Sequence, residues 1–150
     1  MKYYLAYGSN LNKEQMKHRC PGAEPVGHSV IEGYRLVFRR GYLTVEEAEG
    51  QHVPVGIWRI TATDEKALDR YEGYPKFYRK DIFPMRFEGS FRVDVPCLIY
   101  IMQDGHPIQQ PSDAYFYTVY TGYKHFGITD REPLIAAYEE AKWGNEHEEG

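Results

Sequence analysis

The stretch YLAYGSNLNKEQM, residues 4–16, decides how the chain begins its fold. The run from Lys2 to Tyr7 predicts a buried first strand, which stops at the turn Gly8-Ser9-Asn10. Asn12, followed by Gln15 three residues later, matches a helix capping box, so we expect a short helix directly after the turn. The turn is either an ordinary connection between strand and helix or a binding site.

The composition is that of a globular protein with a single domain, which we expect to span residues 1–150 with a frayed tail from about residue 144. Hydrophobic residues make up 42% and charged residues 27% of the chain, as in ordinary globular proteins. The formal net charge of −4 gives no basis for attraction to nucleic acid or to an anionic membrane. We expect neither as a partner.

The two cysteines, Cys20 and Cys97, lie far apart and have no Cys or His neighbour at metal-binding spacing. A disulfide framework and a zinc site are therefore not expected. The amino terminus lacks the apolar length of a secretory signal, and no apolar run approaches the roughly 18 residues of a membrane span. We expect a cytoplasmic protein, either a monomer or a homodimer.

Runs of β-branched and aromatic residues predict strands, and helix caps predict the helices between them. The expected strands are 25–31, 34–39, 42–46, 53–60, 77–87 and 91–102, with a hairpin turn at Glu32-Gly33, an acidic turn at 46–51 and a third turn at Glu88-Gly89-Ser90. The expected helices are 64–71 after Thr63, 113–126 after Ser112, and 130–142. Strands in hairpin-like succession with helices inserted indicate an α+β fold with a mostly antiparallel, strongly curved sheet or small barrel.

The first candidate site is the turn formed by Tyr7, Gly8, Ser9, Asn10 and Leu11. Gly8 lets a ligand approach the backbone, and successive N–H groups before a helix form a concavity suited to a carboxylate or phosphate. The alternative is a turn in which Ser9 and Asn10 only satisfy the local backbone.

The second candidate is Glu72, which ends the predicted helix before Gly73. The negative end of the helix dipole and the surrounding aromatic residues both disfavour the charged carboxylate, so its pKa should rise. A raised pKa suits a general acid/base. The alternative is a solvated glutamate at a helix end. Asp64, Glu65 and Asp69 of the same helix are predicted to be first-turn and solvent-face charges.

Together these motifs resemble the γ-glutamylcyclotransferase-like, or AIG2-like, superfamily. The YGSNL turn follows the first strand, as in that family. Gly56-Ile57-Trp58, the run Leu68-Asp69-Arg70-Tyr71-Glu72-Gly73 and the later Tyr78 match its second signature. Residues 111–115 and Gly122 resemble its carboxyl region, so the resemblance covers nearly the whole chain.

The resemblance implies a small mixed β-barrel flanked by helices, with a substrate cavity at one end. It implies that the α-amine of a γ-glutamyl group attacks its own γ-carbonyl and releases 5-oxoproline, without metal or cofactor. Glu72 would be the catalytic acid/base, and the backbone of residues 8–11 would hold the α-carboxylate or the oxyanion. Tyr7, Tyr78 and Tyr115 would contact the small γ-glutamyl substrate.

The leaving group stays open at this point. The compact segment 74–77 is shorter than in many family members, which changes one lip of the pocket. YGSN, rather than the YGTL of the γ-glutamylamine branch, favours γ-glutamyl amino acids or peptides. The alternatives are a γ-glutamylamine cyclotransferase, removal of a γ-glutamyl cap in a biosynthetic pathway, and a non-catalytic protein that binds an acidic metabolite.

Overall fold

The computed structural model describes residues 1–86 and 94–148, with only the backbone given for residues 145–148. In this part of the chain the elements are, in order, β1 (Lys2–Ala6), a 3₁₀ turn (Ser9–Leu11), α1 (Lys13–Arg19), β2 (Glu24–Arg39), β3 (Tyr42–Ile60), α2 (Ala62–Glu72), β4 (Tyr78–Met85), β5 (Val95–Met102), α3 (Asp113–His125) and α4 (Glu132–Glu148).

The strands form one sheet in the order β2-β3-β1-β5-β4. The central strand, β1, pairs antiparallel with β3 and parallel with β5, and the remaining neighbours are antiparallel. Ala6, the last residue of β1, pairs with Gly56 of β3. The turn that follows β1 therefore begins at the end of the central strand, with two strands of the sheet on either side.

This mixed, mostly antiparallel sheet with its helices confirms the expected α+β fold class. The sheet is open rather than a closed barrel, because β2 and β4 stand at its two edges in the described part of the chain. The rings of Tyr34 on β2 and Phe83 on β4 nevertheless approach to 5.0 Å between centroids. The sheet therefore curves until its edges face each other.

The hairpin expected at Glu32-Gly33 is wrong, because β2 runs through it as one strand. Gly33 has a φ of 82°, and the register with β3 shifts between Glu32 and Tyr34. A glycine with positive φ at a register shift marks a bulge, which bends the strand without reversing the chain. The acidic turn expected at 46–51 is also wrong, because this segment is part of strand β3. It lies opposite Gly33, where the register between β2 and β3 shifts.

The chain reverses instead at Arg40 and Gly41, between the paired residues Arg39 and Tyr42. Both turn residues have positive φ, 54° and 82°. A two-residue turn with positive φ at both positions has a backbone twist that matches the twist of the two antiparallel strands it connects.

Thr61, rather than the expected Thr63, caps α2. The Thr61 hydroxyl accepts a hydrogen bond from the Asp64 N–H at 3.1 Å, and the Asp64 carboxylate accepts one from the Thr61 N–H at 3.0 Å. The same carboxylate accepts a second hydrogen bond, from the Gly22 N–H at 3.2 Å. Asp64 therefore lies in the first turn of α2, as expected, but it is a buried capping residue and is not exposed to solvent.

Ser112 caps α3 as expected, since its hydroxyl accepts a hydrogen bond from the Tyr115 N–H at 3.1 Å. The last helix, α4, continues through Glu148, so the backbone of residues 144–148 is helical where a frayed tail was expected. Residues 149–150 and the turn expected at Glu88-Gly89-Ser90 lie outside the described residues.

Two glycines allow the first turn to pack against the sheet and α3. A Cβ on Gly56 would lie 2.7 Å from Leu11 Cδ2, and one on Gly122 would lie 2.6 Å from the backbone carbonyl carbon of Leu11. Leu11 itself is fully buried. The turn is therefore held against the core at close range. Among the described residues, no helix has the length and apolar character needed to cross a membrane.

Candidate active site

A cavity of about 320 Å³ lies beside the turn after β1. Both predicted halves of the site line it, the turn on one side and the end of α2 on the other. Its lining residues are Tyr4, Tyr7, Gly8, Ser9, Asn10, Tyr42, Leu43, Arg70, Tyr71, Glu72, Gly73, Phe77, Tyr78, Tyr100 and Tyr115. Of the residues expected to form the site, Leu11 is absent from this lining.

The backbone N–H groups of the turn lie in residues that line the cavity or follow directly after them. The Leu11 N–H donates to the Gly8 carbonyl at 3.0 Å, and the Trp58 indole N–H donates to the Asn10 carbonyl at 2.9 Å. No side chain caps the 3₁₀ turn, and within the described residues the N–H groups of Ser9 and Asn10 have no acceptor. These two N–H groups therefore have no partner among the described residues, whereas that of Leu11 is already occupied.

Glu72 is the last residue of α2, which ends in the left-handed Gly73. Burial raises the pKa of its carboxyl from 4.5 to about 7, and the nearby Arg19 guanidinium acts in the opposite direction. The Asn10 side-chain amide donates to Glu72 Oε1 at 3.4 Å. A carboxyl with this pKa exchanges its proton readily near neutral pH, as a general acid/base requires.

Three tyrosines expected at the site use their hydroxyls in hydrogen bonds to the backbone. Tyr7 donates to the Tyr100 carbonyl at 2.6 Å, and Tyr78 donates to the Leu43 carbonyl at 2.8 Å. The Tyr115 hydroxyl accepts from the Leu43 N–H at 3.2 Å, which leaves its own proton free to be donated. Burial raises the pKa of all three phenols, so they stay neutral at physiological pH.

The sequence interpretation missed several residues of this site. Tyr4, Tyr42 and Tyr100 line the cavity, and Arg19 of α1 donates a hydrogen bond to the side chain of Asn10, which lines it too. The abundance of tyrosine, 14 in all, was the available signal, but it did not identify which rings face the cavity. No local pattern marks Arg19, which the sequence places at the end of an ordinary polar helix.

Asp69 also differs from its expected role as a solvent-facing charge. Its carboxylate accepts a hydrogen bond from the Tyr100 hydroxyl at 2.6 Å and forms an ion pair with Lys80 at 2.8 Å. Glu65 pairs with the same lysine and with Lys2. These contacts attach α2 to the sheet and thereby fix the position of its last residue, Glu72.

The polar lining of the cavity consists of hydroxyl, amide, carboxyl and guanidinium groups. Among the side chains of residues 1–86 and 94–144, no cluster of His, Cys, Asp and Glu has the arrangement needed to hold a metal ion. The lining is suited to a small polar molecule that carries both an anionic and a cationic group, since it offers N–H donors on one side and a carboxylate on the other.

Comparison with protein families gives one match. A family model described as gamma-glutamyl cyclotransferase, AIG2-like, matches residues 4–120. This range contains every residue that lines the cavity. A comparison with curated protein sequences finds no match.

Solved structures with the same fold include a protein described as gamma-glutamyl cyclotransferase, at 21% identity and a TM-score of 0.77, over 94% of this chain and 86% of that one. The human uncharacterized protein LOC79017 is 22% identical with a TM-score of 0.76 and the same coverage. YkqA from Bacillus subtilis is 22% identical with a TM-score of 0.75, over 92% of this chain and 54% of that one. At these identities the likeness concerns the fold.

Proposed function

Because the chain belongs to the gamma-glutamyl cyclotransferase, AIG2-like family, we propose that it converts a small γ-glutamyl amino acid or peptide into 5-oxoproline and the free amino acid. The reaction is an intramolecular aminolysis, in which the substrate supplies its own nucleophile. The protein then needs to hold the substrate bent and to move protons. The cavity offers groups suited to both tasks.

The observation that carries this proposal is the position of Glu72 opposite the turn. Its carboxyl has a pKa of about 7 and lines the same cavity as Gly8, Ser9 and Asn10. A protein that only bound an anionic metabolite would gain nothing from a carboxylate there, because like charges repel. An enzyme that must deprotonate an ammonium group does gain from it.

In the proposed reaction Glu72 first accepts a proton from the α-ammonium group of the substrate. The neutral amine attacks the γ-carbonyl carbon, and the carbonyl oxygen becomes an oxyanion. The bond to the leaving nitrogen then breaks as Glu72 returns its proton to that nitrogen. A further proton passes from the ring nitrogen to the leaving amine, so the products are the neutral lactam and an ammonium group.

The free N–H groups of Ser9 and Asn10 are suited to an anionic oxygen of the substrate, either the α-carboxylate or the developing oxyanion. The Tyr115 hydroxyl has a proton to donate on the same side, since a Cβ on Gly8 would lie only 3.0 Å from that oxygen. The Leu11 N–H already donates to the Gly8 carbonyl, so the proposed backbone donors are the N–H groups of Ser9 and Asn10 alone.

A panel of γ-glutamyl compounds, with 5-oxoproline detected by mass spectrometry, tests the proposal. Turnover of γ-glutamyl-alanine or another γ-glutamyl amino acid is expected. Preference for γ-glutamyl-ε-lysine would instead indicate a γ-glutamylamine cyclotransferase. Binding of glutamate or 5-oxoproline in calorimetry, with no turnover of any compound in the panel, would indicate a binding protein and contradict the proposal.

A further inference from the structure

Arg19, the last residue of α1, contacts both halves of the site. Its guanidinium carbon lies 3.4 Å from the centroid of the Tyr71 ring, which precedes Glu72 at the end of α2. Its Nη1 donates to Asn10 Oδ1 in the turn after β1. Its Nη2 donates to Gln15 Oε1 at 3.1 Å, one helical turn earlier on α1. The guanidinium is therefore fixed in three directions.

These contacts determine the orientation of the Asn10 amide. Arginine has donors only, so the atom of Asn10 that faces it must be the carbonyl oxygen. The amide nitrogen then points the other way and donates to the Tyr4 hydroxyl at 2.9 Å and to Glu72 Oε1 at 3.4 Å. The opposite orientation would place donors against the guanidinium and an oxygen against the carboxylate, and both contacts are repulsive.

Tyr71, whose ring Arg19 stacks on, also contacts the turn that lines the cavity. Its hydroxyl lies 2.8 Å from Ser9 Oγ, and the N–H of Ser9 is one of the two free donors in the cavity. A guanidinium stacked on an aromatic ring is a favourable contact that also restricts the ring. Arg19 therefore connects the turn, Tyr71 and Glu72 without lining the cavity itself.

We propose that Arg19 is a positioning residue for the proposed cyclotransferase reaction. It orients the Asn10 amide towards Glu72 and clamps Tyr71, and so it holds the proton-transferring carboxylate at a fixed distance from the donors of the turn. This inference rests on the proposed function for its role in catalysis, but its structural part does not depend on turnover.

Charge supports the same role. The groups that interact electrostatically with Glu72 are the hydroxyls of Tyr4 and Tyr7 on β1, Tyr78 on β4 and Tyr115 on α3, together with the Arg19 guanidinium. Arg70 of α2 also lines the cavity. The phenols are neutral because burial raises their pKa values. Arg19 is the cation that lowers the pKa of Glu72, against the larger effect of burial. Without it, the carboxyl would hold its proton to a higher pH.

Two substitutions separate the positioning role from the charge. Arg19→Met removes the charge and the donors, and we expect kcat/KM to fall about 10- to 100-fold, as for a displaced catalytic group. We also expect the pKa of Glu72 to rise above about 7. Arg19→Lys keeps the charge but cannot donate in two directions from a planar group, so it should restore the pKa while kcat stays reduced.

The pKa of Glu72 is measured by carboxyl-carbon NMR titration, with the signal assigned from its loss in Glu72→Gln. Lys17→Met, which removes an exposed cation from the same helix, is the matched control and should leave both kcat/KM and the titration unchanged. Circular dichroism and thermal unfolding establish that each variant folds. If Arg19→Met does not fold, Arg19→Lys alone tests the proposal through its reduced kcat.

Wild-type kcat/KM in a folded Arg19→Met protein would overturn the inference, and so would an unchanged Glu72 titration in that protein. A wild-type kcat in Arg19→Lys would overturn it as well. The titration needs no substrate, so the two proposals fail separately. A protein that releases no 5-oxoproline but shows the Glu72 shift in Arg19→Met would refute the proposed reaction and retain the contact between Arg19 and Glu72. A protein that releases 5-oxoproline but shows no change of the Glu72 pKa in Arg19→Met would support the proposed reaction and refute the positioning role of Arg19.

Discussion

The Asn10 side-chain amide donates a hydrogen bond to Glu72 Oε1 at 3.4 Å, although the two residues are 62 positions apart in the chain. Asn10 belongs to the turn after the central strand, and Glu72 ends the helix that follows β3. This contact joins the two motifs that the sequence suggested separately. It gives the site a carboxylate next to backbone donors, and the following predictions depend on that pairing.

Replacing Glu72 with Gln should abolish most 5-oxoproline release, because the amide cannot accept and return a proton. General acid/base groups contribute about 10²- to 10⁴-fold, so a loss of that size in kcat/KM is expected. The measurement is product release by mass spectrometry on a folded variant. Glu139→Gln, at an exposed position on α4, should keep wild-type activity. Full activity in Glu72→Gln would show that another group moves the protons.

The activity should depend on pH through Glu72. The carboxyl has a pKa of about 7 in the free protein and must be deprotonated to act as a base. We therefore expect kcat/KM to rise with pH and to be about tenfold lower at pH 6 than at pH 8. A pH profile of kcat/KM with one γ-glutamyl amino acid checks this. A flat profile between pH 5 and 8 would contradict it.

The same carboxyl should make the folded state less stable at higher pH. Its pKa of about 7 in the folded protein lies above its ordinary value of 4.5, so the folded state binds more protons than the unfolded state between these values. The contribution of Glu72 to stability is fully present below pH 4.5 and is lost as the pH rises through 7. The loss amounts to at most about 3 kcal/mol.

The amide of Glu72→Gln does not ionise, so a comparison of this variant with wild type isolates the loss of stability caused by ionisation of Glu72. Relative to wild type, the variant should gain free energy of unfolding between pH 5 and pH 8, as measured by urea denaturation at both pH values. Glu139→Gln should show the same pH dependence as wild type. An equal difference between Glu72→Gln and wild type at the two pH values would mean that the carboxyl titrates alike in the folded and unfolded states.

Gly122→Ala should displace the turn after β1. The added Cβ would lie 2.6 Å from the backbone carbonyl carbon of Leu11 and 2.7 Å from the Asn12 nitrogen, and backbone atoms cannot move aside cheaply. We expect a loss of about 1–3 kcal/mol in the free energy of unfolding and a lower kcat/KM. Thermal and urea unfolding provide the measurement.

Gly27→Ala is the matched control for this substitution, because nothing lies within 4 Å of a Cβ there and its φ is not in the left-handed region. It should change the free energy of unfolding by no more than about 0.5 kcal/mol. Equal stability of the Gly122→Ala and Gly27→Ala proteins would show that the turn tolerates a shift.

The sequence predicted both motifs of the site because each is local. Gly8-Ser9-Asn10 interrupts an apolar strand, and Glu72 stands among aromatic residues before a glycine that ends its helix. The same local reasoning failed at Gly33, where a turn-forming residue produces a bulge. A glycine permits both outcomes, and only the pairing with β3 selects between them.

The sequence by itself determined the α+β class, the turn after the first strand and the carboxyl group at the end of α2, because periodicity, caps and glycines act over a few residues. Tertiary structure decided what surrounds that carboxyl. Burial raises the pKa of Glu72, while Arg19 opposes it and orients Asn10. These effects depend on the distances between α1, the turn after β1 and the end of α2, which the sheet brings together. Such distances cannot be inferred from the residues of one segment alone.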